Sequence, residues 1–450
     1  MNITTLRKPP PSLQQWNELI KPEPGQGDAV VLRRRADEPL PASIDEFRQQ
    51  VASLDFHPLD PYVASVGGSI GAGQVELPKG EQELALKVPE FYAEDVEVKL
   101  GAFNGPGAPM LLILPGIHGE GDGSHANLLK KLALERGMNY VVFPNSLSKA
   151  MLEDKPFHHP GNPRLDAQSS HLLLKTLKQQ MPEYFGTISV AGYSYGGLHG
   201  ANLVRYDEEL GENLVNGSLV ALSPPENLDH SMRELDGLRH IYEEGDGEMV
   251  EKVGLQYKHD VKKFGYERFF ESELSKHGPG TNITEIEICD KYGSRDSLKE
   301  LVEILDTQFG HNRLPMNTPE YAKANLLEKW RLRQEHKQIV ANMTYDQLSN
   351  DWISKDAWLQ QQGMTPAQMA ERYSLTRAME AIEETPVLVL SAADDYILAP
   401  QDIPQLEKLA REQGPQEVMR VFSVGGHVGL DWNPKVAETM IDFAVGGHRG

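Results

Sequence analysis

A serine between two glycines is the clearest reactive group in this sequence. Ser194 lies in the motif Gly192-Tyr193-Ser194-Tyr195-Gly196, between residues 187–191, which have the apolar pattern of a strand, and residues 198–210, which have a helical pattern. A sharp turn from strand to helix exposes a serine as a nucleophile, and glycines let the two elements approach closely. A serine hydroxyl is a poor nucleophile at neutral pH, so it needs a base and a third group that orients the base. The chain must therefore also supply a histidine and an acid.

Candidates for both groups follow later in the chain, each after a predicted strand. Asp395 comes after the apolar residues 386–390, and His427 comes after residues 418–424 in a glycine-rich segment. The chain order serine, aspartate, histidine is one of the known orders of a hydrolase triad. We therefore predict Ser194 as the nucleophile, His427 as the general base and Asp395 as the acid that orients the histidine.

Alternatives stay open around these positions. Asp394 competes with Asp395 as the acid, although the spacing from the strand favours Asp395. Whichever aspartate is not catalytic would cap a turn or line the pocket, and His118 and Tyr193 are further possible pocket residues. His427 could be an ordinary loop histidine with satisfied hydrogen bonds, but its flanking glycines favour an imidazole that reaches over the edge of the sheet.

An acyl-transfer site also needs two NH donors, because negative charge develops on the substrate oxygen in the transition state. We expect one donor from the backbone of Tyr195, directly after the nucleophile, and the other from the glycine-rich loop at residues 115–123. Within that loop the prediction is the NH of Ile117, with His118 as the alternative donor. These NH groups would form the oxyanion hole.

Histidines and acids in the same loop raise the alternative of a metal site, since imidazoles and carboxylates both bind metal ions. Their spacing matches no ligand pattern, and such residues in a glycine-rich loop more often cap turns or line a pocket. We therefore predict no metal, and the chemistry of a serine triad requires no cofactor. The residues considered are His118, Glu120, Asp122 and His125 in and just after this loop and, separately, the pair His158 and His159.

The triad candidates need a scaffold that brings the ends of distant strands together. Short apolar runs alternate with helical patterns along much of the chain, which is typical of an α/β protein with a mostly parallel sheet covered by helices on both faces. Predicted strands lie at residues 96–100, 110–114, 140–143, 187–191, 218–222, 386–390 and 418–424. Predicted helices lie at residues 43–54, 126–136, 167–180, 198–210, 403–412 and 435–444.

The alternation is absent at the start and interrupted once. Residues 1–80 are rich in proline and glycine and are interpreted as an N-terminal extension, and residues 81–228 as the first part of the core. Residues 229–385 contain polar, mostly helical pieces, and residues 386–450 complete the core. Because this insertion leaves after one core strand and returns before the next, we expect a helical cap or lid above the carboxyl ends of the strands.

Charge and cysteine content limit the classes of partner. The 44 basic and 66 acidic residues give a net charge of −22, which disfavours nucleic acids and anionic lipid surfaces. The single cysteine, Cys289, allows no disulfide within the chain. The start of the chain lacks the apolar core of a signal peptide, and no apolar run approaches the ~18 residues of a membrane-spanning helix. We therefore expect a cytoplasmic protein without stable membrane insertion. The predicted triad implies a small-molecule ester or acyl substrate. The sequence leaves the oligomeric state open.

Four segments together resemble the α/β-hydrolase superfamily, namely residues 115–119, 192–197, 391–396 and 425–430. Within it, Gly-Gly-His-Val-Gly and the Ala-x-Asp-Asp pattern are most similar to the YheT-like esterase branch, whose members act on carboxylic esters with short or medium acyl chains. The chain departs from that branch where Asp-Asp-Tyr replaces its usual Asp-Asp-Pro and where its Asn-x-Arg-Gly motif is missing after Phe143.

The resemblance implies the α/β-hydrolase fold and cleavage of carboxylic esters through an acyl-enzyme intermediate. Hydrolysis of amides, peptides or thioesters and acyl transfer use the same triad, so they stay open as alternatives. A non-catalytic binding protein of the same fold is a further alternative, although all three triad residue types are present in the expected order.

Overall fold

The computed structural model describes residues 35–55, 61, 64–65, 75–244, 295–310 and 312–447. Much of the predicted N-terminal extension, including its glycine-rich residues 67–73, lies outside the described residues. Residues 245–294 of the predicted cap also lie outside them. The predicted division into extension, core and cap therefore stays a prediction.

One sheet of eight strands forms the centre of the molecule. The strands are β1 Gln82–Leu86, β2 Val96–Gly101, β3 Met110–Leu114, β4 Asn139–Val142, β5 Ile188–Tyr193, β6 Leu219–Leu222, β7 Val387–Ala392 and β8 Glu417–Phe422. Their order is β1-β2-β4-β3-β5-β6-β7-β8, with antiparallel pairing at β1-β2 and β2-β4 and parallel pairing from β4 to β8. Sequence analysis predicts all of them within two residues except β1, an edge strand that buries only its last residue and lacks an apolar pattern.

The central strands are apolar along their whole length because both faces of the sheet are covered. Every residue of β3 and of β5 is buried. In β3, Leu111 and Ile113 point into one hydrophobic cluster, whereas Met110, Leu112 and Leu114 point into the other. A strand with two buried faces shows an unbroken apolar run in sequence, which is why these strands could be predicted.

Helices cover both faces of this sheet. In the part of the chain that the structure describes, they are α1 Ile44–Ser53, α2 Ser124–Glu135, α3 Lys149–Glu153, α4 Pro163–Gln180, α5 Tyr195–Leu210, α6 Leu228–Glu244, α7 Arg295–Gln308, α8 Pro319–Lys323, α9 Leu326–Asn342, α10 Tyr345–Asp351, α11 Ala357–Gln362, α12 Pro366–Arg372, α13 Leu375–Met379, α14 Ile403–Arg411 and α15 Pro434–Gly446. Helices α1, α2 and α15 pack on the face that holds Leu111 and Ile113, and α4 and α5 pack on the opposite face.

The described part of the N-terminal extension packs firmly against the core. Phe47 of α1 contacts Phe443 of α15 edge to face, with ring centroids 5.0 Å apart. The guanidinium of Arg35 lies 3.4 Å from Asp442, which also pairs with Arg136 at 2.6 Å. Because these charged groups are nearly buried, each needs its partner, and the extension is thereby fixed to two core helices.

The architecture is the α/β-hydrolase fold, as the sequence predicts. Its defining parts are one strand, β2, that runs opposite to all the others, a parallel sheet from β4 to β8 and a tight turn from β5 into α5. Helices α6 to α13 occupy the connection between β6 and β7, where sequence analysis expects the cap. None of the described helices combines the length and the apolar character needed to cross a bilayer.

Candidate active site

Ser194 lies at the turn between β5 and α5 in a backbone conformation that L-residues rarely adopt. Its φ is 55° and its ψ is −135°, and holding a residue there costs on the order of 1–3 kcal/mol. A Cβ at Gly192 would lie 2.1 Å from the carbonyl oxygen of Gly196, and one at Gly196 would lie 2.0 Å from that of Leu114. The two glycines therefore allow strand, helix and the end of β3 to approach, and this contact supports the strained serine.

His427 follows β8 and reaches Ser194 from the neighbouring part of the same sheet edge. Its Nε2 lies 2.9 Å from the hydroxyl oxygen of Ser194, and only 5% of the residue is exposed. The loop turns sharply, with φ of 60° at Gly426 and 58° at Val428. The NH of Val428 donates to the hydroxyl of Ser223 at 3.1 Å, which ties the loop to the end of β6.

Asp395 is the carboxylate that contacts the histidine. Its Oδ2 lies 3.0 Å from Nδ1 of His427, and its Oδ1 accepts the NH of Ile397 at 3.0 Å. An ionised carboxylate can only accept, so Nδ1 carries the proton and Nε2 is left as the acceptor for the Ser194 hydroxyl. This tautomer suits a general base.

Asp394, the competing candidate, faces the backbone of the histidine loop instead. Its Oδ1 accepts the NH of Gly426 at 2.8 Å. Burial raises the pKa of Asp394, the hydrogen bond from Gly426 opposes the rise, and the negative charge of Asp395 adds to it. The structure thus brings Asp395 to the imidazole and Asp394 to the loop that carries it.

The N-terminal extension also reaches the histidine loop, which sequence analysis did not foresee. A Cβ at Gly426 would lie 2.0 Å from the carbonyl oxygen of Pro61, and one at Gly429 would lie 2.5 Å from the carbonyl carbon of Ala64. The hydroxyl of Ser65 donates to that Pro61 oxygen at 2.9 Å. Gly429 is the sequence feature that could have indicated this contact. Its φ lies outside the left-handed region, so the close approach of another backbone is the reason for a glycine there.

The loop after β3 passes beside Ser194. A Cβ at Gly116 would lie 2.9 Å from the Cβ of Ser194, and the NH of Gly119 donates to the Gly116 carbonyl at 3.0 Å, closing a turn that contains Ile117. Tyr195 is the first residue of α5, where helix NH groups have no intrahelical partner. That the NH groups of Ile117 and Tyr195 hold an oxyanion stays a prediction.

The other possible pocket residues lie around the same sheet edge. His118 has a φ of 63°, and its Nδ1 donates to the carbonyl of Leu147 at 3.2 Å. Tyr193 ends β5 and is 8% exposed, with its ring centroid 5.3 Å from that of His125. A role for His118, Tyr193 and Asp394 in lining a substrate pocket stays a prediction.

The side chains considered as metal ligands contact different partners. Among the described residues, no group of three or more histidine, cysteine, aspartate or glutamate side chains is arranged to hold a metal ion. The contacts are His118 with Leu147, Glu120 with Ala150, Asp122 with Lys99, His125 with Asp431, His158 with Asp166, and His159 with Asp356.

No family model matches this sequence, and no curated protein matches it. Among solved structures it is similar to the esterase Pf2001 of Pyrococcus furiosus, at 13% identity and a TM-score of 0.39 over 80% of this chain and 89% of that chain. It is similar to 2,6-dihydroxy-pseudo-oxynicotine hydrolase at 15% identity and a TM-score of 0.40, over 84% of this chain and 72% of that chain. It is also similar to the proline iminopeptidase of Mycobacterium smegmatis, at 14% identity and a TM-score of 0.38 over 81% of this chain and 99% of that chain. Identities and TM-scores this low do not bear on the reaction or the substrate.

Proposed function

We propose that this protein is a serine hydrolase that cleaves carboxylic esters through an acyl-enzyme intermediate. The observation that carries the proposal is the continuous chain of hydrogen bonds from Asp395 through His427 to Ser194, at 3.0 and 2.9 Å. The strained backbone of Ser194 adds support, since strain of this kind persists where the surrounding structure maintains it and is common at reactive residues.

In the proposed reaction, the Ser194 oxygen attacks the ester carbonyl carbon while its proton moves to Nε2 of His427. Asp395 stabilises the resulting imidazolium through Nδ1. The NH groups of Ile117 and Tyr195 hold the oxyanion, a charge that exists only in the transition state and the intermediate. His427 then gives its proton to the departing alcohol, and water activated by the same imidazole releases the acid.

The proposed substrate is a small-molecule carboxylic ester that reaches the protein in the cytoplasm. The resemblance to the YheT-like branch supports a small-molecule carboxylic ester, and the single cysteine supports a cytoplasmic location. The proposal includes no acyl chain length, because an insertion as long as residues 229–385 can reshape the pocket completely.

A fluorophosphonate probe tests the nucleophile directly, because it reacts covalently with activated serines. We expect wild-type protein to be labelled at Ser194 and Ser194→Ala to remain unlabelled. Ser218→Ala is the matched control, since Ser218 is also buried but its hydroxyl donates to the carbonyl of Phe443 at 3.0 Å, before the start of β6 and not at the histidine loop. Folded wild-type protein that resists the probe would count against the proposal.

A panel of p-nitrophenyl esters, with matched anilides and thioesters, tests the reaction class. We expect ester hydrolysis by the wild type and a loss of about 10⁴-fold or more in kcat in Ser194→Ala. Faster turnover of the anilide or the thioester would move the assignment to an amidase or a thioesterase. Binding of these compounds without turnover would favour a non-catalytic protein.

A further inference from the structure

A buried carboxylate outside the triad lies beside the nucleophile helix. Asp166, in the first turn of α4, has no exposed surface. Taking an ionised carboxylate out of water is costly unless hydrogen bonds compensate for it, so the groups that surround Asp166 are held in place with it. Its carboxylate accepts from the Tyr195 hydroxyl at 2.5 Å, the Ser146 hydroxyl at 2.8 Å, the Gly161 NH at 3.1 Å and Nε2 of His158 at 3.2 Å.

The phenol of Tyr195 acts as a neutral donor in this cluster. Burial raises the pKa of Tyr195 well above its usual value, and the negative charge of Asp166 raises it further. The 2.5 Å contact is the shortest of those to the carboxylate, as is typical of a hydroxyl that donates to a charged acceptor. One turn later, Nε2 of His199 donates to the backbone carbonyl of Asp166 at 3.0 Å. The first two turns of α5 are therefore each hydrogen-bonded to Asp166 of α4.

The fastened residue directly follows the nucleophile. The direction of the Tyr195 NH depends on ψ of Ser194, which is −135°, and on the position of the Tyr195 Cα. The side chain of Tyr195 is only 2% exposed and is held at both ends, by the helix backbone and by the hydroxyl bond to Asp166. Fixing the ring restricts the Cα, and this in turn restricts the peptide that connects Ser194 to Tyr195.

We propose that Asp166 is a positioning residue that acts through the Tyr195 hydroxyl to orient the Tyr195 NH towards the oxyanion. The proposal rests on the proposed serine-hydrolase function. Oxyanion donors are effective because they are oriented before charge develops, so a loosened donor weakens the transition state more than the ground state. Loss of the hydroxyl bond should therefore lower kcat and leave KM nearly unchanged.

Tyr195→Phe tests this, because it removes the hydroxyl and keeps both the ring and the NH. Since complete loss of an oxyanion donor costs about 10²–10³-fold, we expect a smaller fall of about 10-fold in kcat, with KM within about twofold. Affinity for a trifluoromethyl ketone, which forms an anionic tetrahedral adduct with serine, should fall by the same factor as kcat. Tyr92→Phe is the matched control, since the buried Tyr92 phenol donates to Ser169 at 3.2 Å and not to the Asp166 carboxylate. It should leave kcat and ketone affinity within about twofold of the wild type.

Asp166→Asn is a second test of the hydrogen bond between the Tyr195 hydroxyl and Asp166. Its kcat is expressed per site titrated by the fluorophosphonate, so that unfolded protein is not counted. We expect it to lower kcat and ketone affinity together, as in Tyr195→Phe. Wild-type kcat and ketone affinity in Tyr195→Phe would overturn the proposal, as would a rise in KM as large as the fall in kcat. Equal effects in Tyr92→Phe would also overturn it. Failure of the serine-hydrolase function is distinguished separately, by ester turnover that persists in Ser194→Ala.

Discussion

The two adjacent aspartates after β7 make different contacts with His427 and its loop. Replacing them one at a time distinguishes the contact between Asp395 and the imidazole from the contact between Asp394 and the loop backbone. In Asp395→Asn the amide has one oxygen, and the NH of Ile397, which donates to Asp395 Oδ1 at 3.0 Å, requires that oxygen. The amide NH₂ then faces Nδ1 of His427 and favours the tautomer with its proton on Nε2, which cannot accept from Ser194. We expect kcat to fall about 10⁴-fold, which corresponds to about 5 kcal/mol at 1.36 kcal/mol per tenfold.

The neighbouring substitution, Asp394→Asn, should be much milder. The amide oxygen can still accept the Gly426 NH that now donates to Asp394 at 2.8 Å, so this hydrogen bond is kept with a neutral acceptor. Hydrogen bonds to charged groups exceed neutral ones by about 1 kcal/mol, which corresponds to roughly a fivefold loss in kcat if the whole difference acts on the loop.

The assay is kcat for a p-nitrophenyl ester at saturation, normalised to sites titrated with a fluorophosphonate. Urea unfolding of both variants controls for stability, because both substitutions lie on the same turn. An equal loss of activity in Asp394→Asn and Asp395→Asn would contradict this expectation, since the contact between Asp395 and the imidazole would then not be the one that supports turnover.

Further predictions concern backbone contacts and pH. Gly196→Ala places a Cβ 2.0 Å from the Leu114 carbonyl oxygen, so we expect little folded protein by circular dichroism. Gly429→Ala places one 2.5 Å from backbone of Ala64 and should lower kcat by displacing the histidine loop from the N-terminal extension. Burial raises the pKa of Glu226 from 4.5 to about 7. The folded state then binds this proton more tightly than the unfolded state, so the stability of the wild type falls as pH rises through that range. Glu226→Gln cannot titrate there. Between pH 4.5 and pH 8 its free energy of unfolding, measured in urea, should therefore rise by about 3 kcal/mol relative to that of the wild type.

Each of these has a control and a contradicting result. Gly237→Ala in α6 controls for the added methyl, because its Cβ would meet nothing within 4 Å. A stable Gly196→Ala protein would contradict the close approach of β3 and α5. Unchanged kcat in Gly429→Ala would mean that the contact with Ala64 does not influence the histidine. For Glu226, a stability difference between variant and wild type that stays constant with pH would show that the carboxyl does not titrate in this range.

The sequence was informative where the residue pattern and the topology impose the same constraint. Parallel strands place their carboxyl ends at one edge, so a serine, an aspartate and a histidine that each follow such a strand lie along the same edge. The apolar runs of β3, β5 and β7 are long enough to be recognised without knowing their neighbours. This is why Ser194, His427 and the adjacent pair Asp394 and Asp395 could be selected as candidates although they lie far apart in the chain.

Contacts between side chains that are distant in sequence, with no motif that links them, could not be predicted. Asp166 occupies an ordinary polar position at a helix start, and only the folded arrangement buries it against Tyr195. The choice between Asp394 and Asp395 depends on how one turn rotates, and the NH of Gly426 and the imidazole of His427 decide it. Neither partner could be located in space from the sequence alone.

The histidine loop shows why the candidate active site depends on remote residues. Residues 425–429 include three glycines, and ordering a residue's backbone costs about 1–2 kcal/mol, with glycine at the upper end. A loop this permissive would not by itself keep the imidazole 2.9 Å from Ser194. Asp394 and Ser223 each accept a hydrogen bond from its backbone, the backbone of Pro61 and Ala64 lies against its glycines, and together these contacts offset that entropy. The glycines allow these close contacts and also make them necessary.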